Sequence, residues 1–502
     1  DVGEVLYGIV MLQNVPKNKM CILVSWNAMV EELSRQGQAE LVLHCSEWMR
    51  CEGLSHNRFM YICILKACGS IKAQMQGYWI HSEIAEQGFL QNDTVLATAV
   101  LDMYVKCGSL VNAEQTFYAI QDKNVVSWTA LIGGYTQHGQ CEKALKAFEQ
   151  MKKDGIKPNA ITFICVLKAC GIIQAIEIGE EICVEVVKRG LLAQNRVVGN
   201  ALLDMYIKCG LFEKSQQVFD EILIPDVVTW TTLIAGYVQH GHGEKALYTF
   251  RQMQQNGSAP NMVTFCCIVK ACGIIQAADK GQEMHAILVR SRYLEKNNVA
   301  INALVDMYAK CGLLKEAQDI FDEHKDPDVV SWTVLITGYV QHGFDSEGLN
   351  CFQKMQANGL SPNAITFASV LRACGAIGAV EKGKDVHAMI IREGLLENDT
   401  VLRNALIYMY VKTGLLGNVE ELFDKFVIRD DVSWNTVILG YAQHGSGEKA
   451  LKYFAKMQCE GFCPDTVTFS AILKVCGSMG DTQKGHQLHA RIVRDECLAK
   501  EI

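Results

Sequence analysis

Proline is scarce in this chain, with seven residues in 502, and no segment is rich in serine and glycine. Linkers between independently folded domains draw on one composition or the other, so none is expected. No apolar run approaches the roughly 18 residues that a membrane-crossing helix needs, and no membrane span is expected. Basic blocks and acidic tails are also missing. The net charge is −8, with the two signs interspersed. Strong non-specific attraction to nucleic acid is not expected of that balance, because lysine and arginine contacts to phosphate dominate it; a local basic stripe is compatible with it. The chain begins at Asp1, inside a repeated segment, so a preceding stretch, with any targeting peptide, is expected.

Cysteine is plentiful, at 21 residues, but its placement excludes the usual reasons for it. Cys68, Cys170, Cys272, Cys374 and Cys476 recur every 102 residues. So do Cys107, Cys209 and Cys311, whose next occurrence is Thr413. A metal ligand is not exchanged for threonine, and one thiol per unit makes no tetrahedral cluster. These read as small buried thiols in a reducing compartment, and no metal or other cofactor is expected.

The same interval governs the tryptophans Trp26, Trp128, Trp230, Trp332 and Trp434. VVSWTALIGGYTQHG begins at Val125, VVTWTTLIAGYVQHG at Val227, VVSWTVLITGYVQHG at Val329 and DVSWNTVILGYAQHG at Asp431, with a worn copy from Leu23. A chain of this length exceeds the ~250–300 residues at which one core stops growing. Repetition points instead to an array whose units pack on their neighbours.

Within residues 125–226, Trp128, Leu131, Ile132 and Tyr135 share one helical face. Gly139 ends that helix. Leu145, Phe148 and Met151 form a second stripe, stopped by Gly155 and Pro158. This is a hairpin of 35 residues, and hairpins of 36 and 31 residues complete the 102. The expected fold is all-α, a right-handed α-solenoid of about 14 helix-turn-helix repeats. The 35-residue type covers 23–57, 125–159, 227–261, 329–363 and 431–465. The 36-residue type covers 58–93, 160–195, 262–297, 364–399 and 466–501. The 31-residue type covers 94–124, 196–226, 298–328 and 400–430. Residues 1–22 read as a degenerate partial 31-residue hairpin, and 23–501 as a single solenoid.

Lengths of 35, 36 and 31 in rotation do not suit the 34-residue tetratricopeptide period. The chain resembles the pentatricopeptide repeat proteins, in the plant subgroup with alternating P, L and S motifs. VVSWTALIGGYTQHGQCEKALKAFEQMKKDGIKPN is similar to a P motif, AITFICVLKACGIIQAIEIGEEICVEVVKRGLLAQN to an L motif, and RVVGNALLDMYIKCGLFEKSQQVFDEILIPD to an S motif. The resemblance implies sequence-specific binding of single-stranded RNA in chloroplasts or mitochondria, one motif to one base, running 5′ to 3′ from N to C. It also implies that each motif's fifth and last residues read the base edge, which agrees with how helical repeats address unstacked RNA bases.

By that resemblance the base-reading pairs of the P motifs are Asn27/Asn57, Thr129/Asn159, Thr231/Asn261, Thr333/Asn363 and Asn435/Asp465. Those of the S motifs are Thr98/Asn124, Asn200/Asp226, Asn302/Asp328 and Asn404/Asp430. An aliphatic second residue would sandwich the base: Val24, Val126, Val228, Val330 and Val432 in P motifs, and Val95, Val197, Val299 and Val401 in S motifs. The L pairs, Ile62/Asp93, Ile164/Asn195, Cys266/Asn297, Ala368/Asp399 and Ser470/Glu501, mostly lack a fifth-position hydrogen-bonding group and read as weak readers or spacers. In the family's code Thr with Asn implies adenine, Asn with Asp uracil, and Asn with Asn a pyrimidine. The implied target is 5′-YnAAnUAnUAnUUn-3′. Asn and Asp in front of a helix are also good N-caps, so capping alone is an alternative for the last residues. Fifth-position Thr and Asn have no capping role and are poor helix formers.

Lys106, Lys208, Lys310 and Lys412 fall near the C-terminal end of the S first helices. They read as compensation of the helix dipole, as phosphate contacts, or both. The editing branch of the family implies a zinc cytidine deaminase, which needs H-x-E and P-C-x-x-C. The H-x-E at His81-Ser82-Glu83 falls at a repeat position whose later copies lack the Glu. The chain has no P-C-x-x-C, and Cys459 and Cys463 form only a C-x3-C. No catalysis is expected from this chain. A deaminase or accessory editing factor could follow in the full protein or act in trans. The rivals are a role in RNA stabilisation or splicing and a protein-binding scaffold.

Overall fold

The computed structural model describes residues 19–51, 53, 55–294, 297–396, 399–426 and 429–494. Residues 1–22, read as a partial hairpin, fall mostly outside these, and so does the side chain of Val24. The described residues hold thirty helices and no strand. No helix among them is long and apolar enough to cross a membrane.

The protein is an all-α solenoid of helical hairpins. First helices span Val125–Gln137, Ala160–Ile173 and Arg196–Lys208, then recur from Val227, Met262, Asn298, Val329, Ala364, Thr400, Asp431 and Thr466. They start where they do because an Asn or Asp precedes each and caps it. The first described helix is the exception. It runs Lys19–Arg35, four residues further upstream than the repeat implies, because Ile22 occupies the capping position and sets no boundary. Two short helices, Phe89–Asn92 and Leu191–Gln194, interrupt 36-residue hairpins and have no counterpart in the sequence reading.

The described residues divide into two compact units, one of residues up to 240 with 255–258, the other of 241–254 and 259 onward. In the first, the tryptophans are core: Trp128 meets Phe117 and Trp230 meets Phe219, each edge-on with ring centroids 4.6 Å apart. In the second, Trp332 meets Phe321 at 4.6 Å and Trp434 meets Phe423 at 4.7 Å. Each tryptophan thus seals a P hairpin to the S hairpin before it. P and L hairpins meet through phenylalanine pairs such as Phe148–Phe163 and Phe352–Phe367. The first P–L junction replaces that pair with a polar network. Ser46 Oγ lies 3.0 Å from His56 Nε2, His56 Nδ1 lies 3.3 Å from Glu83, and Tyr61 donates to Glu83 at 2.7 Å.

Three of the four described L–S junctions carry a histidine on a tyrosine hydroxyl, His81–Tyr104 and His387–Tyr410 at 2.8 Å and His285–Tyr308 at 3.1 Å; at the other, Cys183 stands against Tyr206. Burial holds all three imidazoles below their ordinary value of 6.5; Glu323 opposes this at His285, and Glu421 at His387. The unfolded chain therefore binds protons that the folded rings resist, so this part of the stability is complete above about pH 6.5 and is lost as the pH falls below it. Urea midpoints at pH 7.5 and 5.5 are expected to drop less in H387Q than in the unaltered protein. An equal drop would show that the imidazole does not contribute.

Glycine is required where first helices approach most closely. A Cβ on Gly338 would lie 2.6 Å from that of Ala309, and one on Gly171 would lie 3.3 Å from the Met205 Cα. Cys68, Cys170, Cys272 and Cys374 are fully buried. Burial pushes Cys68 and Cys170 up to about 12, and Cys272 and Cys374 to about 11, so these thiols stay protonated and unreactive.

Candidate functional site

The second residue of every first helix from Phe59 onward is a large apolar side chain left between 43% and 68% exposed. Val95, Val126, Val197, Val228, Val299, Val330, Val401 and Val432 are among them. So are Phe59, Ile161, Val263, Ile365 and Val467 of the L hairpins, which the sequence reading had not singled out. Thirteen consecutive hairpins thus present an apolar side chain at one position, at the unpacked start of the helix.

The last residue of each P and S hairpin caps the next first helix. Asn159 Oδ1 accepts from the Thr162 backbone N–H at 2.8 Å and from its hydroxyl at 3.0 Å. Asn261 and Asn363 do the same to Thr264 and Thr366. Asn57 accepts from Met60, and Asn124 from Val126 and Ser127. Asp226, Asp328, Asp430 and Asp465 cap through Thr229, Ser331, Ser433 and Thr468. The capping reading therefore holds at every one of these positions. It also fixes what remains: the oxygen is spent on the cap, so an asparagine keeps its Nδ2 donor at the open end and an aspartate its second oxygen, which Asn404 and Asn435 also reach at Asp430 and Asp465, and Arg196 at 3.9 Å at Asp226. The backbone bond from Thr229 holds the Asp226 carboxyl below its usual range, so that end is an acceptor only.

The fifth residues come to the same place. Asn404 Nδ2 lies 3.1 and 3.0 Å from the two oxygens of Asp430. Asn435 Nδ2 donates to Asp465 at 2.7 Å, and Asn302 reaches Asp328 at 3.5 Å. The threonines meet their partners through an intermediary: Thr129 Oγ1 lies 2.7 Å from Thr162 Oγ1, and Thr333 Oγ1 lies 2.7 Å from Thr366 Oγ1. Thr162 and Thr366 are themselves bonded to Asn159 and Asn363. Thr129, Thr231 and Thr333 are only 6–9% exposed, so their hydroxyls face the cap more than solvent. Thr98 turns to the Thr94 carbonyl. Asn27, Asn200 and Asn302 each carry a buried carbonyl oxygen without a partner.

L hairpins differ in the backbone of their last residue. Asp93, Asn195, Asn297 and Asp399 have ψ of 94°, 93°, 94° and 103°. The P and S positions lie near 180°, as at Asn159 with 178° and Asp226 with 178°. Asp93 is further engaged by Arg58. The L caps are therefore aimed differently from the rest.

Three of the four S lysines are paired within their helix, Lys106–Asp102, Lys208–Asp204 and Lys310–Asp306, each at 2.7 Å. Lys412 lies over the Tyr408 ring instead. Their stems cross the neighbouring L helix at Gly69, Gly171, Gly273 and Gly375, where a Cβ would meet them at 3.0–3.4 Å. The H-x-E residues serve separate contacts, His81 with Tyr104 and Glu83 with Tyr61 and His56. QHG histidines lock hairpins together, as where His138 Nε2 meets the Val105 carbonyl at 2.7 Å. Among the described residues no cluster of His, Cys, Asp and Glu could hold a metal.

The family model described as "PPR repeat family" matches residues 123–171, 225–273, 327–376 and 429–478, and that described as "PPR repeat" matches 200–223, 299–323 and 401–430. A pentatricopeptide repeat-containing protein of Arabidopsis thaliana named chloroplastic is 32% identical over 95% of this chain and 76% of its own length. Another from the same plant, named mitochondrial, is 30% identical over 94% of this chain and 68% of its own. Across such relatives the chain spans from 45% to 76% of their length. Among solved structures, the pentatricopeptide repeat protein PPR10 in complex with an 18-nt psaJ RNA element is similar in fold, with TM-score 0.52 and 18% identity over 92% of this chain and 83% of that one. The chain belongs to the pentatricopeptide repeat family.

Proposed function

We propose that this protein binds single-stranded RNA sequence-specifically, one P or S hairpin to one base, as a protein of the P-L-S subgroup. The observation that carries this reading is the capping residue's remaining polar atom, Nδ2 of an asparagine or the second oxygen of an aspartate, beside an exposed apolar side chain. The Watson–Crick edge of adenine or cytosine offers a ring nitrogen that accepts, and an asparagine Nδ2 complements it. Uracil offers an N–H, and an ionised aspartate oxygen complements that. These ends separate adenine or cytosine from uracil, and with the fifth residue read as in the pentatricopeptide code the target is 5′-YnAAnUAnUAnUUn-3′ along the chain. The fifth residue orients the last one directly at Asn302, Asn404 and Asn435, and through the capping hydroxyl at Thr129 and Thr333. Exposed valines supply an apolar surface for the base, which contributes somewhat less than the roughly 1–3 kcal/mol per base of an aromatic platform.

A chloroplast or mitochondrial transcript, and the target-recognition step of C-to-U editing with a deaminase supplied elsewhere, is the role this reading favours. RNA stabilisation or splicing uses the same interface. Fluorescence anisotropy at a stated salt concentration is expected to show the 14-nucleotide target bound at least tenfold more tightly than a scrambled RNA of equal composition. Selection from a random pool is expected to recover adenine and uracil at the assigned P and S positions. Equal affinity for target and scramble would reject the code, and a pool with no preference would reject sequence reading altogether.

A further inference from the structure

The acidic net charge is distributed unevenly between the helices. The five L first helices hold six basic residues and no acidic one. The P first helices from Val125, Val227, Val329 and Asp431 hold a single charge, Asp431. The excess of acid that makes the chain −8 therefore lies on second helices and connections.

One basic residue recurs at the ninth position of every L hairpin: Lys66, Lys168, Lys270, Arg372 and Lys474. All five are exposed. None is ion-paired with another described residue, whereas three of the four S lysines are. The ninth residue lies seven after the second, two turns along, so it shares a helix face with the exposed Phe59, Ile161, Val263, Ile365 or Val467. Each L hairpin thus offers, on one face, an apolar side chain and, two turns along, a cation without an ion-pair partner, although Arg372 also acts on the Asp345 carboxyl; the fifth residue, Ser470 apart, carries little hydrogen-bonding capacity. An exposed cation without an ion-pair partner, on a helix that itself carries no carboxylate, is placed for a polyanion.

Resting on the RNA reading above, we infer that L hairpins are not gaps in the footprint. They are clamps that hold the RNA backbone without reading the base, the ninth-position cation binding a phosphate and the second-position side chain packing on the nucleotide. Specificity would then come from P and S hairpins, and a share of affinity that is independent of sequence from L hairpins.

The test replaces Lys66, Lys168, Lys270, Arg372 and Lys474 together by Gln in the full chain. A control of equal charge change replaces Lys146, Lys153, Lys315, Lys382 and Lys452, exposed on second helices. Affinity for the target RNA and for a single-base mismatch is measured between 50 and 300 mM salt. Each phosphate contact contributes roughly 0.7 to the slope of log K against log salt for a single strand. The L-hairpin variant is expected to flatten that slope by about 3.5 and keep its ratio of target to mismatch, while the control stays close to the unaltered protein. K168Q alone is expected to flatten it by about 0.7. A slope in the five-fold L variant equal to that of the control would overturn the clamp while leaving the reading of bases intact. An unaltered protein that binds no RNA would remove both.

Discussion

Replacing Thr333 by Asn together with Asn363 by Asp is expected to move the preference at one base of the bound RNA from adenine to uracil. The geometry for this already exists in the chain, in Asn404–Asp430 and Asn435–Asp465, where the fifth-position amide meets the capping carboxylate. The cap survives, since Asp430 and Asp465 hold the next helix as Asn363 does. At position 363 the open end changes from donor to acceptor. A mismatched hydrogen-bonding edge costs ~1–3 kcal/mol, so a swing of tenfold or more between the two RNAs is expected in competition anisotropy, with preference at the other positions unchanged. Preference that stays with adenine, in a variant whose melting is unaltered, would show that this pair does not face the base.

Trp332→Ala is expected to cost about 3–5 kcal/mol, the usual range for emptying a large aromatic site. Trp332 is buried and lies edge-on to Phe321 across an S–P junction. In a repeat array stability is a sum of unit and junction terms, so the loss is expected to be local. Hydrogen exchange is expected to quicken in residues 298–363 far more than in distant hairpins, and a uniform increase would contradict that picture. Trp332→Phe is expected to cost much less. The indole Nε1–H of Trp332, like those of Trp128, Trp230 and Trp434, is buried without a partner, and removing such a group relieves a penalty of ~1–3 kcal/mol.

The hairpins were legible because the core and the helix starts are written in residue type. Trp128 recurs at Trp230 with its Phe partner, and Asn159 or Asp226 marks a helix start that needs a cap. Where the mark is missing the boundary moved, as Ile22 let the first described helix begin at Lys19. Four-residue helices such as Phe89–Asn92 are too short to leave a periodic trace. The site was legible only in part. Phe59 and Phe163 are alike by type, and only packing shows that one is exposed and the other fully buried. The placement of charge was hidden for a related reason. A sum of −8 is silent about segregation, which depends on the two helices of a hairpin lying on different sides. The burial of Thr129 and Thr333 was likewise invisible, because it depends on Thr162 and Thr366, residues of the following hairpin.

A side chain that both starts a helix and offers its far end outward has a small vocabulary. Asn, Asp, Ser and Thr can occupy such a place; a leucine or a lysine there would loosen the next hairpin before it changed what the protein recognises. Divergence among arrays built this way is therefore confined to a few interchangeable letters at each site, and new targets arise by respelling with that short alphabet or by adding and losing whole hairpins.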